Sequence, residues 1–204
     1  MIIKMEIKIV KKEEIDQVVT IHNKAFKDFF LTKLGDKFLW TYYYTVSHNK
    51  KGILIGCFED NKLLGFSCAT TLSKGFYKEL ITENILIYGF FAFKLFFTRP
   101  LSLLRLVKNI SKKNKEVIDD GSYAEFLSAG VDPIMQGKGI GKKLFLDMEK
   151  RIKLEKIDKL SLTTDYHDNV IALNMYKTLD YKVMYDFVAY PDRRMYRLIK
   201  KIQQ

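Results

Sequence analysis

Met5, Ile7 and Ile9 alternate with Glu6 and Lys8, the period of a strand with one buried face. After Lys11 and Lys12 the period lengthens: Ile15, Val18, Val19, His22 and Phe26 recur at helical spacing behind Glu13 and Glu14, whose charges suit the positive end of a helix dipole. His22 falls on the apolar face of that helix and reads as a packed, hydrogen-bonded core histidine. A second amphipathic stretch, Phe29 to Val46, is dense in aromatics, among them Phe38, Trp40, Tyr42, Tyr43 and Tyr44, a cluster expected in a core. Residues 52–58 and 63–71 read as two strands around the polar turn Glu59-Asp60-Asn61-Lys62, a hairpin. From Gly75 to Gly121 the pattern is helical, and Pro100 after Arg99 divides it into two helices. Tyr123 to Val131 returns to strand, and Ile140, Leu144, Met148 and Ile152 then repeat every four residues as the buried stripe of a helix. Leu160 and Leu162 mark a short strand. A helix from about Asn169 to Leu179 and strands at Tyr181–Val188 and Arg193–Ile199 follow. No repeat or low-complexity tract is visible.

At 204 residues the chain fits one domain, and 48% hydrophobic with 29% charged residues is a globular composition. A net charge of +11 turns attention to anionic partners: nucleic acid, a phosphorylated small molecule, or an acidic membrane surface. No nucleic-acid module pattern is present and the charges are dispersed, so nucleic acid is not an expected partner. Cys57 and Cys68 lie in apolar alternating stretches, without the spacing of a zinc site or a redox pair, and are expected to be reduced, buried thiols. No metal site is expected. The opening MIIKMEIKIV lacks the pattern of a signal peptide, and no uncharged apolar run approaches the roughly 18 residues of a membrane span, so a cytoplasmic location is expected.

The stretch with chemical content is Gln136-Gly137-Lys138-Gly139-Ile140-Gly141-Lys142, between an expected strand and an expected helix. Glycines let main chain approach a ligand and turn several N–H groups outward, and the helix behind adds the positive end of its dipole, a combination suited to pyrophosphate. Taken alone such a turn is equally a loop tip ahead of a helix. The Walker pattern fails because Lys143 follows Gly141-Lys142, and GxGxxG fails because Lys142 stands at its last glycine. Six basic residues against two acidic ones over 137–153 add support of modest weight.

Strand, Gln136-x-x-Gly139-x-Gly141, then helix resembles the acetyl-coenzyme A motif of the GNAT superfamily of N-acetyltransferases. Downstream, Asn169-x-x-Ala172-x-x-x-Tyr176 and Asp180-Tyr181 are similar to its second conserved element, with Asp180 where a glycine usually stands; aspartate tolerates the left-handed conformation that glycine serves there. The resemblance implies an α/β (α+β) fold, one GNAT-like domain over 1–204 with a mixed, mostly antiparallel sheet flanked by helices and a helical insertion at 75–121. It implies acetyl-CoA as cosubstrate. The main chain of Gln136, Gly137, Lys138, Gly139, Ile140, Gly141 and Lys142 would bind its pyrophosphate, and Ala129, Gly130 and Val131 would pair with the pantetheine arm. Gly139 and Gly141 would keep the phosphate space clear. Lys138, Lys142 and Lys143 are candidate phosphate partners, Arg151 a weaker one.

Attack on a thioester needs a neutral amine, hence a general base. Glu125, eleven residues before Gln136, matches the position of the glutamate base in some members; it alternates with Leu127, Ala129 and Val131, and an apolar face would raise its pKa. The other reading of Glu125 is a salt-bridged strand residue. Tyr176 matches the tyrosine that many members use to protonate the departing thiolate. Asn169 would cap its helix or contact the coenzyme.

The insertion sets this chain apart. From Leu86 to Lys113 it has six basic residues, no acidic ones and five phenylalanines. It reads first as a lid or wall over the acceptor pocket, second as a subunit interface of a homodimer, third as a peripheral membrane contact through 85–113. The expected acceptor is a small-molecule primary amine. Phe29-Phe30-Leu31-Thr32-Lys33-Leu34-Gly35 faintly resembles a segment of acetyltransferases of bacterial surface sugars, which would make an amino sugar the acceptor. The rivals are a protein or peptide amine and a non-catalytic acyl-CoA-binding module.

Overall fold

The computed structural model describes residues 5–110, 117–167 and 169–202. It contains seven strands and seven α-helices: β1 (Glu6–Ile9), α1 (Ile15–Ala25), α2 (Asp36–His48), β2 (Gly52–Glu59), β3 (Lys62–Thr70), α3 (Phe76–Glu83), α4 (Ile85–Thr98), α5 (Pro100–Ile110), β4 (Ala124–Val131), α6 (Ile140–Leu154), β5 (Lys159–Asp165), α7 (Val170–Thr178), β6 (Lys182–Ala189) and β7 (Arg193–Lys201). Contacts group them into two compact units, one of Met1–Thr71 and Phe126–Ile157, the other of Leu72–Glu125 and Asp158–Gln203, so that β4 is divided between them.

In the first unit the strand order is β1-β2-β3-β4. β1 and β2 are antiparallel with Ile7 opposite Cys57, and β2 and β3 form the expected hairpin. Its turn residues Asp60 and Asn61 take left-handed φ of 45° and 65°, which their short polar side chains tolerate. The core between sheet and helices is built from Ile15, Val18, Leu39, Tyr43, Leu54, Ile55, Phe66, Leu144 and Met148, all buried. Cys57 and Cys68 are both free and buried, and burial pushes both thiols up. All four members of the α6 stripe, Ile140, Leu144, Met148 and Ile152, are buried, as their spacing requires.

Two expected elements differ. Glu13 and Glu14 form a 3-10 turn with Lys12 ahead of α1, in which a Glu14 carboxylate oxygen accepts the Lys11 N–H at 2.8 Å. The amphipathic stretch Phe29 to Val46 is not one element: α2 starts at Asp36, because Gly35 holds φ +95°, outside any helix, and Thr32–Leu34 is a separate 3-10 turn.

In the second unit the order is β4-β5-β7-β6. β4 runs parallel to β5, with Ala124 opposite Leu160 and Glu125 opposite Ser161, while β5–β7 and β7–β6 are antiparallel. Among its described residues the insertion holds three helices where two were expected. The helical pattern breaks at Asn84, whose φ of −122° ends α3 just before the apolar run of α4, and α3 and α4 meet at 97°. Pro100 then opens α5, where its missing N–H costs nothing. Asn109 ties α5 to the β6–β7 connection: its side-chain amide donates to the Tyr190 carbonyl at 3.2 Å and accepts the Tyr190 N–H at 2.9 Å. Among the described residues no single helix is long and apolar enough to cross a membrane.

Candidate active site

In the first unit β4 ends at Val131, and Asp132 makes the corner. Its N–H donates to the Leu64 carbonyl of β3 at 2.9 Å, and its carboxylate accepts Ile134 N–H at 3.2 Å and Lys24 Nζ at 2.9 Å. Those donors, the Lys24 ammonium above all, hold the carboxyl below its ordinary range. A Cβ on Gly65 of β3 would come within 3.0 Å of the Gly130 carbonyl and 3.2 Å of Ile140, so glycine there lets β4 and the start of α6 sit close.

The glycine turn follows, with Gln136, Gly137, Lys138 and Gly139 exposed. Gly137 and Gly139 both take φ +77°, and a Cβ added to either would meet no protein atom within 4 Å. Left-handed backbone, rather than crowding by protein, is therefore what demands glycine, and it does so at 137 and 139; Gly141 lies within the first turn of α6 and is not among the glycines with positive φ. Lys143 N–H bonds the Gly139 carbonyl at 3.1 Å as the helix begins, so the N–H groups of Gly139 to Lys142 precede its hydrogen-bonded ladder. Lys138, Lys142 and Lys143 are exposed around this end. Arg151 pairs instead with Asp147 one turn back on α6, at 2.6 Å.

The same unit contains a buried chain that the sequence did not announce. His22, 3% exposed, shares a hydrogen with Tyr43 (Nδ1 to Oη 2.7 Å), and Tyr43 Oη lies 3.0 Å from Ser128 Oγ on β4. Phe26 and Phe66 pack against the imidazole. His22 is thus the core histidine its position suggested, and burial pushes its pKa down to about 4.

In the second unit Glu125 does not sit among apolar neighbours as expected. One carboxylate oxygen accepts Arg197 Nη1 at 2.8 Å and the other accepts the Ser73 hydroxyl. Arg197 also lies 3.7 Å from Asp119 and donates to Ser161 Oγ at 3.2 Å. Asp119 in turn accepts both Tyr123 Oη (2.9 and 2.8 Å) and Tyr185 Oη, together with Gly121 N–H at 3.0 Å. Burial alone would raise the Asp119 carboxyl, but hydrogen bonds from Tyr185 and Tyr123 outweigh it and hold the group below its ordinary value. Burial pushes the Tyr123 and Tyr185 phenols up, so both remain donors at neutral pH. Burial alone would lower the Arg197 guanidinium, but Glu125, Tyr123 and Tyr185 together outweigh it and hold the group charged. The cluster places two carboxylates against one guanidinium, with one negative charge in excess. Arg197 shares a strand face with Met195 and Ile199, and a cation on such a face is the one sequence signal that a buried anion faces it.

Asn169 and Tyr176, expected to act at the two ends of one helix, are linked through Thr164 of β5, a buried residue that spacing did not single out. Asn169 precedes α7 and donates its side-chain amide to Thr164 Oγ1 rather than capping the helix. Thr164 also hydrogen-bonds Tyr176 in the sense that favours phenolate, while burial acts more strongly and pushes the phenol up. Tyr176 therefore carries its proton at neutral pH. Asp180 closes α7 with φ +65°, the left-handed conformation that a glycine would otherwise supply. Among the described residues no group of His, Cys, Asp and Glu could hold a metal ion.

The family model described as "Acetyltransferase (GNAT) family" matches residues 15–181. Among solved structures, the chain is similar to an N-acetyltransferase from Staphylococcus aureus Mu50 (TM-score 0.64, 15% identity, 98% of this chain and 99% of that one). It is similar also to the ribosomal-protein-S18-alanine N-acetyltransferase from Escherichia coli (TM-score 0.63, 11% identity, 98% and 96%). A third is the PaiA N-acetyltransferase from Thermoplasma acidophilum in complex with coenzyme A (TM-score 0.60, 16% identity, 97% and 99%). At these identities the likeness is one of fold. No curated protein matches the sequence.

Proposed function

The chain belongs to the GNAT acetyltransferase family, and from that premise we propose that residues 1–204 act as one catalytic domain that transfers an acetyl group from acetyl-CoA to the primary amine of a small molecule, an amino sugar by preference. The observation that carries this reading is the left-handed pair Gly137 and Gly139 at the mouth of α6. Two glycines in that conformation, the N–H groups that follow and three exposed lysines fit the pyrophosphate of the coenzyme. Bound acetyl-CoA supplies the activated acyl group as a thioester. The main chain of Ala129, Gly130 and Val131 is the expected track for its pantetheine arm.

Glu125 is the proposed base. A carboxylate can accept about four hydrogen bonds, and Arg197 and Ser73 account for one on each oxygen, so capacity remains for an incoming ammonium. The excess negative charge around it favours a cationic acceptor. Tyr176 is the proposed acid, oriented by Thr164. The amine attacks the thioester directly; Cys57 and Cys68 are buried with raised pKa and are no nucleophiles.

A panel of amino sugars, small amines and peptide N-termini offered with acetyl-CoA, read by release of free thiol, tests the proposal. Turnover of amino sugars alone supports it; turnover of peptides alone transfers it to the protein-acting class, of which the Escherichia coli structure is an example. Coenzyme binding with no turnover, unaffected by Glu125→Gln, would make the chain a binding module. If Glu125→Gln leaves the acidic limb of the pH–rate profile in place, the base is another group.

A further inference from the structure

We propose that α4 and α5 dock the protein on the surface of an anionic lipid bilayer. Leu86, Phe90, Phe93 and Phe97 succeed one another at spacings of four, three and four residues, which places them on one face of α4. All four point away from the protein, at 86%, 65%, 67% and 69% exposure, while Leu95 is buried at 7% and packs inward. Ile85, Phe96, Leu101 and Val107 widen the exposed surface onto α5, which contacts α4. Aromatic side chains of ~200 Å² each, about two-thirds exposed, put this face on the order of 500 Å², at the upper end of what a free monomer carries.

Charge selects the occupant. Between Asn84 and Ile110 the sequence has Lys94, Arg99, Arg105 and Lys108 and no acidic residue. Two copies meeting through this face would set these cations against their equivalents. An anionic bilayer offers the opposite: dispersed negative headgroups over an apolar interior, the pairing that Phe and Leu interspersed with Lys and Arg requires. Lys112 and Lys113, which extend the basic series, lie outside the described residues. Fourteen residues of α4 rise about 21 Å, short of the hydrocarbon thickness, so the helix lies in the headgroup region and does not cross. The clasp between Asn109 and Tyr190 fixes α5 to the second unit, which makes docking a property of the folded chain.

The test is cosedimentation of the full chain with vesicles of phosphatidylcholine alone and of phosphatidylcholine mixed with phosphatidylglycerol, in the absence of acetyl-CoA, so that its outcome is independent of the catalytic reading. Wild type is expected to pellet with the mixed vesicles and not with phosphatidylcholine, and to be released by high salt. Phe90→Ser/Phe93→Ser/Phe97→Ser should weaken binding at least tenfold, and so should Lys94→Glu. These side chains are exposed, so the variants should keep the wild-type unfolding midpoint. Equal binding of wild type and the triple-serine variant overturns the proposal, as does binding to neither vesicle. A wild-type dimer in sedimentation velocity that the triple-serine variant dissociates, without vesicle binding, would reassign the face to self-association.

Discussion

His22 provides a quantitative test of the first unit's packing. Its ring touches Phe26 and Phe66, Nδ1 is engaged by Tyr43, and Nε2 is buried with no partner among the described residues. Protonation would place a donor at Nε2 with nothing to accept it, so the folded state takes up that proton only near pH 4, against an ordinary 6.5. The unfolded chain therefore binds more protons as pH falls below 6.5, and stability must decline over that interval and level off below about 4. Between about pH 7 and about pH 5 the loss is about 2 kcal/mol, a substantial share of a typical domain's stability. Asp119, Asp132 and Glu14 do not interfere: their carboxyls are held below ordinary values, so what they contribute is lost only as pH falls from the ordinary carboxylate range toward those lowered values, below this interval. Urea denaturation of wild type and His22→Gln across this range, followed by far-UV circular dichroism, isolates the effect. The variant should be less stable near neutrality yet nearly flat in pH, and the two curves should converge toward pH 5. Parallel curves would mean that some other group takes up the proton and that the imidazole is not desolvated as described.

Other consequences are equally direct. Gly139→Val forces a branched side chain to φ +77°, a strain of about 1–2 kcal/mol, and puts its methyls where phosphate is expected; coenzyme A affinity by calorimetry should fall by more than tenfold, and an unchanged affinity would remove the turn from the site. Tyr176→Phe should lower kcat on the order of 100-fold with little change in KM, whereas wild-type turnover would exclude it as the acid. Thr164→Val keeps the shape of β5 but unlinks Asn169 from Tyr176, and should cost about tenfold in kcat, the value of one hydrogen bond. Asp119→Ala strips acceptors from Tyr123, Tyr185 and Gly121 and should destabilise the protein by about 3–5 kcal/mol in chemical denaturation; a loss below about 1 kcal/mol would show the cluster to be solvated.

Period made most of the fold legible. The α6 stripe and the β2–β3 hairpin follow from local spacing, and the glycine turn is read from composition and position together. What was missed follows from the range of the missing information. Phe29, Phe30, Leu31 and Leu34 carry the amphipathic pattern up to Gly35 with only Thr32 and Lys33 between them, so local spacing does not mark where α2 begins; Asn84 splits α3 from α4 without the proline that divides α4 from α5. The site shows the same limit more sharply. Glu125 is positioned by Arg197, 72 residues away, and by Ser73, 52 residues away, contacts that no local pattern encodes. Thr164 is an ordinary strand threonine until the fold brings Asn169 and Tyr176 to it.

Asp119 falls within the segment that looks, from sequence, like an addition to an already complete fold. Yet its carboxylate is where Tyr123, just ahead of β4, and Tyr185 of β6 converge, and Asn109 of the same segment satisfies the main chain of Tyr190. Excising 75–121 would therefore strand two phenols in the interior, so the segment is not a detachable graft. A shortened descendant would have to rebuild the polar interior of its C-terminal half before it could fold.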